Sequence, residues 1–204
     1  MPHTIRTQRL LLRPWTLRDA PALYRAKNDF DVVKMTATWA WPVTEATIRK
    51  RIEGAMERQH GPKAVFGIFA DADASANAGA NTGANSDAVA HDEARPGVLL
   101  GSIGGGPLDD SAVSGGDNVV GVGYMLARRA WGRGFAQEAL RGWADFMFAT
   151  YKVNAIVGER WADNPASGRV MEKAGFREVG PVAPQWCAAR QTSLPGVRYR
   201  LSRP

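Results

Sequence analysis

Residues 119–176 constrain the fold of this chain more than any other stretch. An apolar run at 122–126 leads into a basic, glycine-spaced turn at 128–136. An amphipathic segment follows, then a second apolar run at 155–158, and a last short segment that ends at Gly175. This order predicts a strand, a turn, a helix, a second strand and a second helix.

The turn is suited to binding an anion. A helix N-terminus has unpaired backbone N–H groups and a partial positive charge, and it therefore attracts phosphate. Gly132 and Gly134 lack Cβ, so the backbone can adopt a positive φ and a ligand can approach closely. Arg128, Arg129 and Arg133 add fixed charge and forked donors. The apolar residues that follow have helical spacing; they are Phe135, Ala136, Ala139, Leu140, Trp143, Phe146 and Met147.

Residue types alone leave two interpretations of the turn open. One is an ordinary strand-to-helix connection with solvated arginines, and the other is a phosphate site. The dinucleotide fingerprint requires a third glycine where this chain has Gln137, and the chain has no Gly-Lys-Ser/Thr of a Walker A loop. A phosphate ligand would therefore belong to neither of these two classes.

The segment also resembles a known motif. The Arg/Gln-x-x-Gly-x-Gly/Ala acyl-CoA loop of the Gcn5-related N-acetyltransferase (GNAT) superfamily is similar to Arg129-Ala130-Trp131-Gly132-Arg133-Gly134. Further blocks resemble the branch that acetylates the N-termini of ribosomal proteins (RimJ/RimL-like); they are residues 131–136, 138–139, 164–167, 173–176, 9–14 and 19–20. The resemblance covers most of the chain except about residues 71–97 and 181–195. It specifies the superfamily better than the substrate, because the branch includes acetylases of other amines.

The resemblance implies an α/β fold, a single domain with a mixed, splayed sheet flanked by helices. The strands near 120–126 and 153–160 would separate, and acyl-CoA would lie between their carboxyl ends. Backbone N–H groups of Met125 and Leu126 would hold the thioester, amides around 129–135 the pyrophosphate, and Asn164 the pantetheine arm. The residues implied for binding acetyl-CoA, the co-substrate, are Met125, Leu126, Arg129, Gly132, Arg133, Gly134, Phe135, Ala136 and Asn164.

Direct acetyl transfer requires that the amine lose protons and that the leaving thiolate gain one. The resemblance implies Ser167 as the proton donor, and helix capping is its alternative role. Relatives often carry an acidic residue near the start of the central strand, where this chain has Gly121. Glu159 is the nearest acidic substitute by position, although a surface salt bridge is the simpler role for it and a chain of water molecules is an alternative base. Glu138 matches the family motif and is expected only to position the loop.

Two tryptophans, Trp39 and Trp41, lie in a predicted loop between two helices. Core packing is the simpler role for both. The resemblance adds another, because this region borders the acceptor site in the superfamily.

Composition restricts the partners. The formal net charge of +6 favours anionic partners, but no nucleic-acid-binding module shows its signature. No apolar run approaches the ~18 residues of a membrane span, and the N-terminus has no apolar signal core. The single Cys187 excludes an internal disulfide and fits a reducing compartment. We therefore expect a cytoplasmic location, with neither nucleic acid nor membrane as a partner.

The histidines are scattered and lack the spacing of metal ligands, so no metal is indicated. Residues 71–97 are rich in Ala, Asn, Asp and Gly and cannot offset the entropy of ordering. They are predicted to be a disordered insertion in a hairpin, within one domain that spans residues 1–204. The predicted order of elements is β-α-α-β-β-β-α-β-α-β, with a polar stretch after Val179 and a final strand near 197–201.

The predicted function is acetyl-CoA-dependent N-acetyltransfer by direct attack of an amine. The favoured acceptor is the N-terminal α-amine of a protein or peptide. A small amine (polyamine, amino acid or aminoglycoside) is one alternative, and a non-catalytic acyl-CoA-binding module is another. A groove open to a chain would favour the first acceptor, and a closed acidic pocket would favour the second.

Overall fold

The computed structural model describes residues 3–58, 61–71, 97–108 and 118–204. These residues form one sheet of eight strands. In chain order the strands are β1 (Ile5–Arg6), β2 (Leu10–Pro14), β3 (Val65–Ala70), β4 (Leu99–Pro107), β5 (Val119–Leu126), β6 (Ala155–Trp161), β7 (Arg177–Cys187) and β8 (Thr192–Ser202). The α-helices of the described ranges are α1 (Ala20–Lys27), α2 (Phe30–Val33), α3 (Glu45–Glu57), α4 (Phe135–Tyr151) and α5 (Pro165–Lys173). None of them is both long enough and apolar enough to cross a bilayer.

The sheet is mixed, as the sequence predicts. Its strand order is β1-β2-β3-β4-β5-β6-β8-β7. Neighbouring strands run antiparallel except β5 and β6, which are parallel. Parallel neighbours require a crossover connection, and α4 supplies it.

The two parallel strands separate at their carboxyl ends. β5 and β6 pair only from Val119 opposite Ala155 to Val122 opposite Gly158. Beyond that point β5 stays paired with β4 as far as Leu126, and β6 stays paired with β8 as far as Trp161. The expected splay of the sheet is therefore confirmed, and it leaves a gap between the ends of two strands.

Apolar side chains fill both faces of the sheet. Adjacent residues of a strand point to opposite faces, and Leu12 and Leu11 accordingly belong to different cores. The first core contains Trp143 of α4 and Met171 of α5. The second contains Leu23, Ile48 and Ile52 of α1 and α3. The gap is thus flanked by α4 and α5 on one face and by α1 and α3 on the other.

The sequence does not predict β7. Its Pro181 and Pro184 argue against a strand, yet β7 is an edge strand that pairs only with β8. Proline lacks an N–H to donate, and an edge strand tolerates this because one side of it has no ladder. The pairing is also irregular, with register shifts at Glu178/Gly180 and Val182/Gln185. The short elements β1 and α2 are additional to the prediction.

The proposed insertion lies outside the described residues from 72 to 96, so its disorder stays a prediction. The strands on either side of it, β3 and β4, pair antiparallel as the arms of a hairpin. The predicted start of the insertion needs a correction at Asp71. This residue is only 6% exposed and forms an ion pair with Arg6, whose Nη1 lies 2.9 Å from its carboxylate. Asp71 is therefore part of the folded domain.

Replacing residues 72–96 by a short Gly-containing turn should preserve the domain. The entropy of loop closure changes by only roughly 0.6 kcal/mol per doubling of length, so the free energy of unfolding in urea should stay level or rise by about 1 kcal/mol. As a control, Asp71→Ala in the shortened chain should lower it by about 1 kcal/mol, because the partner of Arg6 is lost. A large loss of stability in the shortened chain itself would mean that the segment contributes to folding.

Candidate functional site

A cleft of about 1280 Å³ opens at the gap between β5 and β6. Its lining comes from the ends of both strands, the 130–137 segment and the start of α5, and also from α1, α3 and the 35–39 segment. The cleft brings together most of the residues implied by the sequence: Met125, Leu126, Gly132, Gly134, Phe135, Ala136, Glu159, Asn164 and Ser167. Arg129 and Arg133 are not among its lining residues.

The turn before α4 has the backbone that its glycines predict. Gly132 has φ +74° and Gly134 has φ +77°, a left-handed region in which a Cβ is strained. Gly134 is the N-cap of α4, and its carbonyl accepts the first helical bond, from Glu138 N at 3.1 Å. The N–H groups of residues 135–137 therefore have no partner within the helix. They form a set of donors at the positive end of a helix of 17 residues.

Two arginines of the turn are engaged with the protein itself. Nε and Nη2 of Arg128 donate to the two carboxylate oxygens of Asp29, at 2.6 and 2.9 Å. These bonds hold the pKa of Asp29 below its usual range. Nη2 of Arg129 donates to the carbonyl of Leu99 at 2.8 Å. These bonds attach the turn to the α2 segment and to β4, and a phosphate-binding role for Arg129 stays a prediction.

Glu138 positions the turn, as expected. Its Oε1 accepts from Oγ1 of Thr7 and from the backbone N of Arg9, both at 2.6 Å, and its Oε2 accepts from Nε of Arg9 at 2.7 Å. Nη1 of Arg9 then donates to the carbonyl of Arg133 at 3.1 Å. The Arg9 guanidinium also lies over the Phe135 ring, 4.6 Å from its centroid. The connection from β1 to β2 thereby fixes the turn in place, a role for Arg9 that the sequence pattern does not reveal.

The ladder between β4 and β5 decides which backbone groups face the gap. Ala127 N donates to Leu100 O at 2.8 Å, and Leu108 N donates to Val119 O at 3.0 Å. Residues of an antiparallel strand alternate between facing and not facing a given neighbour. Met125 therefore bonds β4, whereas Tyr124 and Leu126 direct their N–H and C=O groups toward the gap.

This alternation corrects one expectation and refines another. The N–H of Met125 is committed to the sheet and is not placed to hold a thioester. The N–H of Leu126 is available on the gap side, and its carbonyl accepts from Nε1 of Trp131 at 2.9 Å. Tyr124, which the sequence does not single out, supplies the other gap-facing N–H of this part of β5.

Ser167 and Tyr124 meet across the gap. Oγ of Ser167 lies 2.9 Å from Oη of Tyr124, and Oη donates to the Ser167 carbonyl at 3.1 Å. Burial raises the pKa of Tyr124 to about 12, so this phenol stays protonated at neutral pH. The N-cap of α5 is Asn164, whose Oδ1 accepts from Ser167 N at 3.3 Å. Asn164 therefore caps α5 through its Oδ1, and the Ser167 hydroxyl has a different partner.

Glu159 forms a salt bridge, the simpler of the two roles that the sequence suggests for it. It faces Arg198 on the neighbouring strand β8, and its Oε1 accepts from Nε of Arg198 at 2.8 Å. Its Oε2 accepts from Nε2 of Gln185, also at 2.8 Å. An amine or a water would compete with both donors for this carboxylate, and a base role for Glu159 stays a prediction.

The part of the cleft between α1 and α3 is basic. Trp39 lines it and is half-buried, whereas Trp41 packs against Phe30 with ring centroids 5.7 Å apart. Nζ of Lys27 lies 4.0 Å and Cζ of Arg51 lies 4.6 Å from the Trp39 ring centroid. Lys27 is 1% exposed. Burial, reinforced by the charge of Arg51, lowers the pKa of Lys27 from 10.5 to about 7.

Comparison with known proteins gives the family. A model of the acetyltransferase (GNAT) domain matches residues 9–177. This chain belongs to that family. The protein YkkB of Bacillus subtilis (strain 168), which is uncharacterized, is 37% identical over 85 residues, 42% of this GNAT domain and 47% of that relative. The match therefore spans about half the length of the relative.

Solved structures share the fold. RimL, described as a ribosomal L7/L12 α-N-protein acetyltransferase in complex with coenzyme A, matches with a TM-score of 0.70 and 17% identity, covering 98% of each chain. The microcin C7 self-immunity acetyltransferase MccE, in complex with acetyl-CoA and AMP, matches with a TM-score of 0.70 and 16% identity, covering 96% of this chain and 93% of that one. At these identities the likeness shows the fold alone.

The residues present fit acetyl-CoA, the co-substrate of the family. The N–H groups at the start of α4, which have no partner within the helix, suit a pyrophosphate, and glycine at 134 leaves room for its approach. The N–H of Leu126 faces the gap that an extended pantetheine arm would follow. Acetyl-CoA would thus be held by Leu126, the 134–137 amides and Asn164.

Gly134→Val should abolish the thermal stabilisation by acetyl-CoA. A ligand at a hundred times its Kd stabilises by about 2.7 kcal/mol, so the parent should show a clear rise in Tm. Gly61→Val is the matched control, because Gly61 also has a positive φ (+87°), with nothing within 4 Å of its added Cβ. Both variants should lose about 1–2 kcal/mol of stability from backbone strain, but only Gly134→Val should lose the ligand-dependent shift. An equal rise in Tm with acetyl-CoA in both variants would show that the turn only connects β5 to α4 and does not bind the ligand.

Lys27→Met should stabilise the ligand-free domain. Replacing a buried charge by an apolar side chain of similar volume often contributes about 1–4 kcal/mol, and we expect this gain at pH 6. Between pH 7 and 10.5 the unfolded lysine holds a proton that the folded lysine has lost, so wild-type stability rises with pH. The advantage of Lys27→Met should therefore shrink over that window by up to about 1.4 kcal/mol per pH unit and stay constant below pH 7. Urea denaturation across this range, with Lys50→Met as an exposed control on α3, measures the difference; parallel curves would contradict it.

Proposed function

We propose that this GNAT domain is an N-acetyltransferase in which an amine attacks acetyl-CoA directly, and that its favoured acceptor is the N-terminal α-amine of a protein or peptide. The observation that carries the proposal is the hydroxyl pair of Ser167 and Tyr124 at the gap where the strands separate. A domain that only binds acyl-CoA has no need of a half-buried hydroxyl pair at this gap.

The protein groups have distinct tasks in this mechanism. Acetyl-CoA supplies the acetyl thioester. The Leu126 N–H donates to the thioester carbonyl oxygen and stabilises the negative charge that develops there. The α4 N-terminus holds the pyrophosphate through the backbone amides of 134–137.

Ser167 donates the proton that the departing sulfur requires. The serine oxygen then takes a proton from water, and Tyr124, which remains protonated at neutral pH, holds the serine in place through its contacts with the hydroxyl and the carbonyl. The proton that the amine loses goes to water or to Glu159. Cys187 takes no part, since it is fully buried and its Sγ is near the carbonyls of Lys34 and Thr36.

The acceptor assignment rests on the sequence blocks shared with the ribosomal-protein branch and on the fold shared with RimL, which is described as acting on an α-amine of a protein. The charge of the cleft supports the choice among the alternatives. Its described lining contains seven basic and two acidic side chains, and both acidic ones, Glu159 and Asp163, are ion-paired with arginines. Such a cleft repels polyamines and aminoglycosides. A cytoplasmic location stays part of the proposal.

Ser167→Ala should lower kcat by about a hundredfold or more, because a positioned proton donor contributes on that order. The Kd for acetyl-CoA should change less than twofold. Tyr124→Phe should lower kcat by about tenfold, since the serine remains but loses the hydroxyl that positions it. Ser193→Ala, an exposed serine on β8 outside the cleft lining, is the control. Unchanged turnover in Ser167→Ala with a lower Tm would assign Ser167 a structural role only.

The acceptor is found by intact-mass screening of peptides and small amines with acetyl-CoA. A mass gain of one acetyl group on peptide N-termini is the expected result. A mass gain on small amines alone would show that the acceptor is a small amine. Binding of acetyl-CoA without any acetylated product would indicate a non-catalytic acyl-CoA-binding module.

A further inference from the structure

Lys27 is a buried lysine without a hydrogen-bond partner among the described residues. Among the residues that the structure describes, its Nζ contacts no acceptor, although Nζ itself is almost inaccessible to solvent. Lysine is almost never fully buried unless it is paired, because an uncompensated buried charge costs several kcal/mol. The cation–π contact with the Trp39 ring offsets only part of this cost.

The unpaired ammonium lies at the cleft. Lys27 lines the cleft at the end of α1, and Arg51 lines it from α3. Both cations contact the Trp39 ring, with Nζ of Lys27 at 4.0 Å and Cζ of Arg51 at 4.6 Å from its centroid. Arg51 donates to the carbonyl and hydroxyl of Thr38, which fixes it beside the ring. In the described part of the cleft, no carboxylate is bonded to either cation.

This cluster is separate from the part of the cleft that suits acetyl-CoA. Trp39 packs with the α1 and α3 core, whereas Phe135 and Ala136 of the α4 N-terminus pack with the other core. The two cores lie on opposite faces of the sheet. Anions of acetyl-CoA at the α4 N-terminus therefore do not account for the cations around Trp39.

We propose that Lys27, Arg51 and Trp39 form a subsite for an acidic group carried by the acceptor, an anion on the same molecule as the attacking amine. The inference rests on the proposed function and narrows its substrate class to amines that bear a carboxylate or phosphate, such as a peptide with an acidic residue near its N-terminus. A bound carboxylate gives Nζ of Lys27 the charge-assisted hydrogen bond that it lacks. Trp39 holds the aliphatic part of the acceptor and keeps water from the ion pair.

The subsite also explains why a destabilising lysine is present. A buried group that lowers the stability of the free protein and gains its partner only on binding couples stability to function. The same substitution, Lys27→Met, should therefore raise the stability of the free domain and weaken acceptor binding. A lysine with a purely structural role would not show these opposite effects.

The test uses matched acceptor peptides on the full chain. One set of peptide pairs has Glu or Gln at position 2, 3 or 4 and tests whether the subsite binds a carboxylate. A second set has phosphoserine or serine at the same positions and tests whether it binds a phosphate. In the wild type, kcat/KM should be at least tenfold higher for the acidic member of one pair. Lys27→Met should raise KM for that acidic peptide at least tenfold, leaving its kcat, the neutral peptide and the Kd for acetyl-CoA within twofold. Arg51→Gln should cause a smaller effect of the same kind, and Lys50→Met none.

The outcomes separate the two proposals. Turnover of all peptides without an acidic preference, or a preference that survives in Lys27→Met, overturns the subsite and leaves the acetyltransferase proposal intact. If no peptide is turned over, the proposed peptide acceptor fails, and binding of the acidic peptides is then measured by calorimetry. Binding to the wild type that is lost in Lys27→Met still supports the subsite, and equal or absent binding overturns it.

Discussion

The short parallel pairing of β5 and β6 is the constraint on which the rest of the structure depends. The pairing ends at Val122 and Gly158, and past that point backbone groups of β5 lose a partner on one side. Buried backbone polar groups need partners, so the free edge at Leu126 favours a ligand with its own donors and acceptors. The same parallel pairing requires a crossover helix, and the crossover brings the N-terminus of α4 to the mouth of the gap. Strand donors and helix donors thus converge for a topological reason.

The sequence predicts the parts of this arrangement that are local. The helical spacing from Phe135 gives α4, and the turn glycines give the positive φ values at Gly132 and Gly134. The sequence could not give the partners of the turn arginines, because Asp29 lies 99 positions from Arg128 along the chain. It missed β7, whose prolines oppose a strand by local propensity but are tolerated at a sheet edge. Tyr124 was missed because an aromatic residue in an apolar run indicates core packing, and its contact with Ser167 spans 43 positions.

The cations in and around the cleft differ in whether a carboxylate of the protein pairs with them. Arg128, Arg190 and Arg198 are satisfied by carboxylates of the protein, so they contribute to architecture and little to the field that a ligand meets. Lys27 lacks such a carboxylate among the described residues, and it therefore keeps its capacity for an incoming anion. A net charge counted over the whole sequence cannot separate these two groups. Only the pairing of each cation does so.

The contact of Arg9 with Arg133 links the beginning of the chain to the turn before α4 across 124 positions. During synthesis from the ribosome, β1 and β2 appear first and must wait for Glu138 before their polar groups find this partner. Contacts so distant in sequence slow the folding of a domain, because the entropy of closing the intervening chain is lost before the contact forms. The turn consequently acquires its final shape only when Arg9 and Arg133 have come into contact. We therefore expect cofactor affinity to require the closed segment, so that a chain with α4 and its glycines but without Arg9 in place lacks the finished turn.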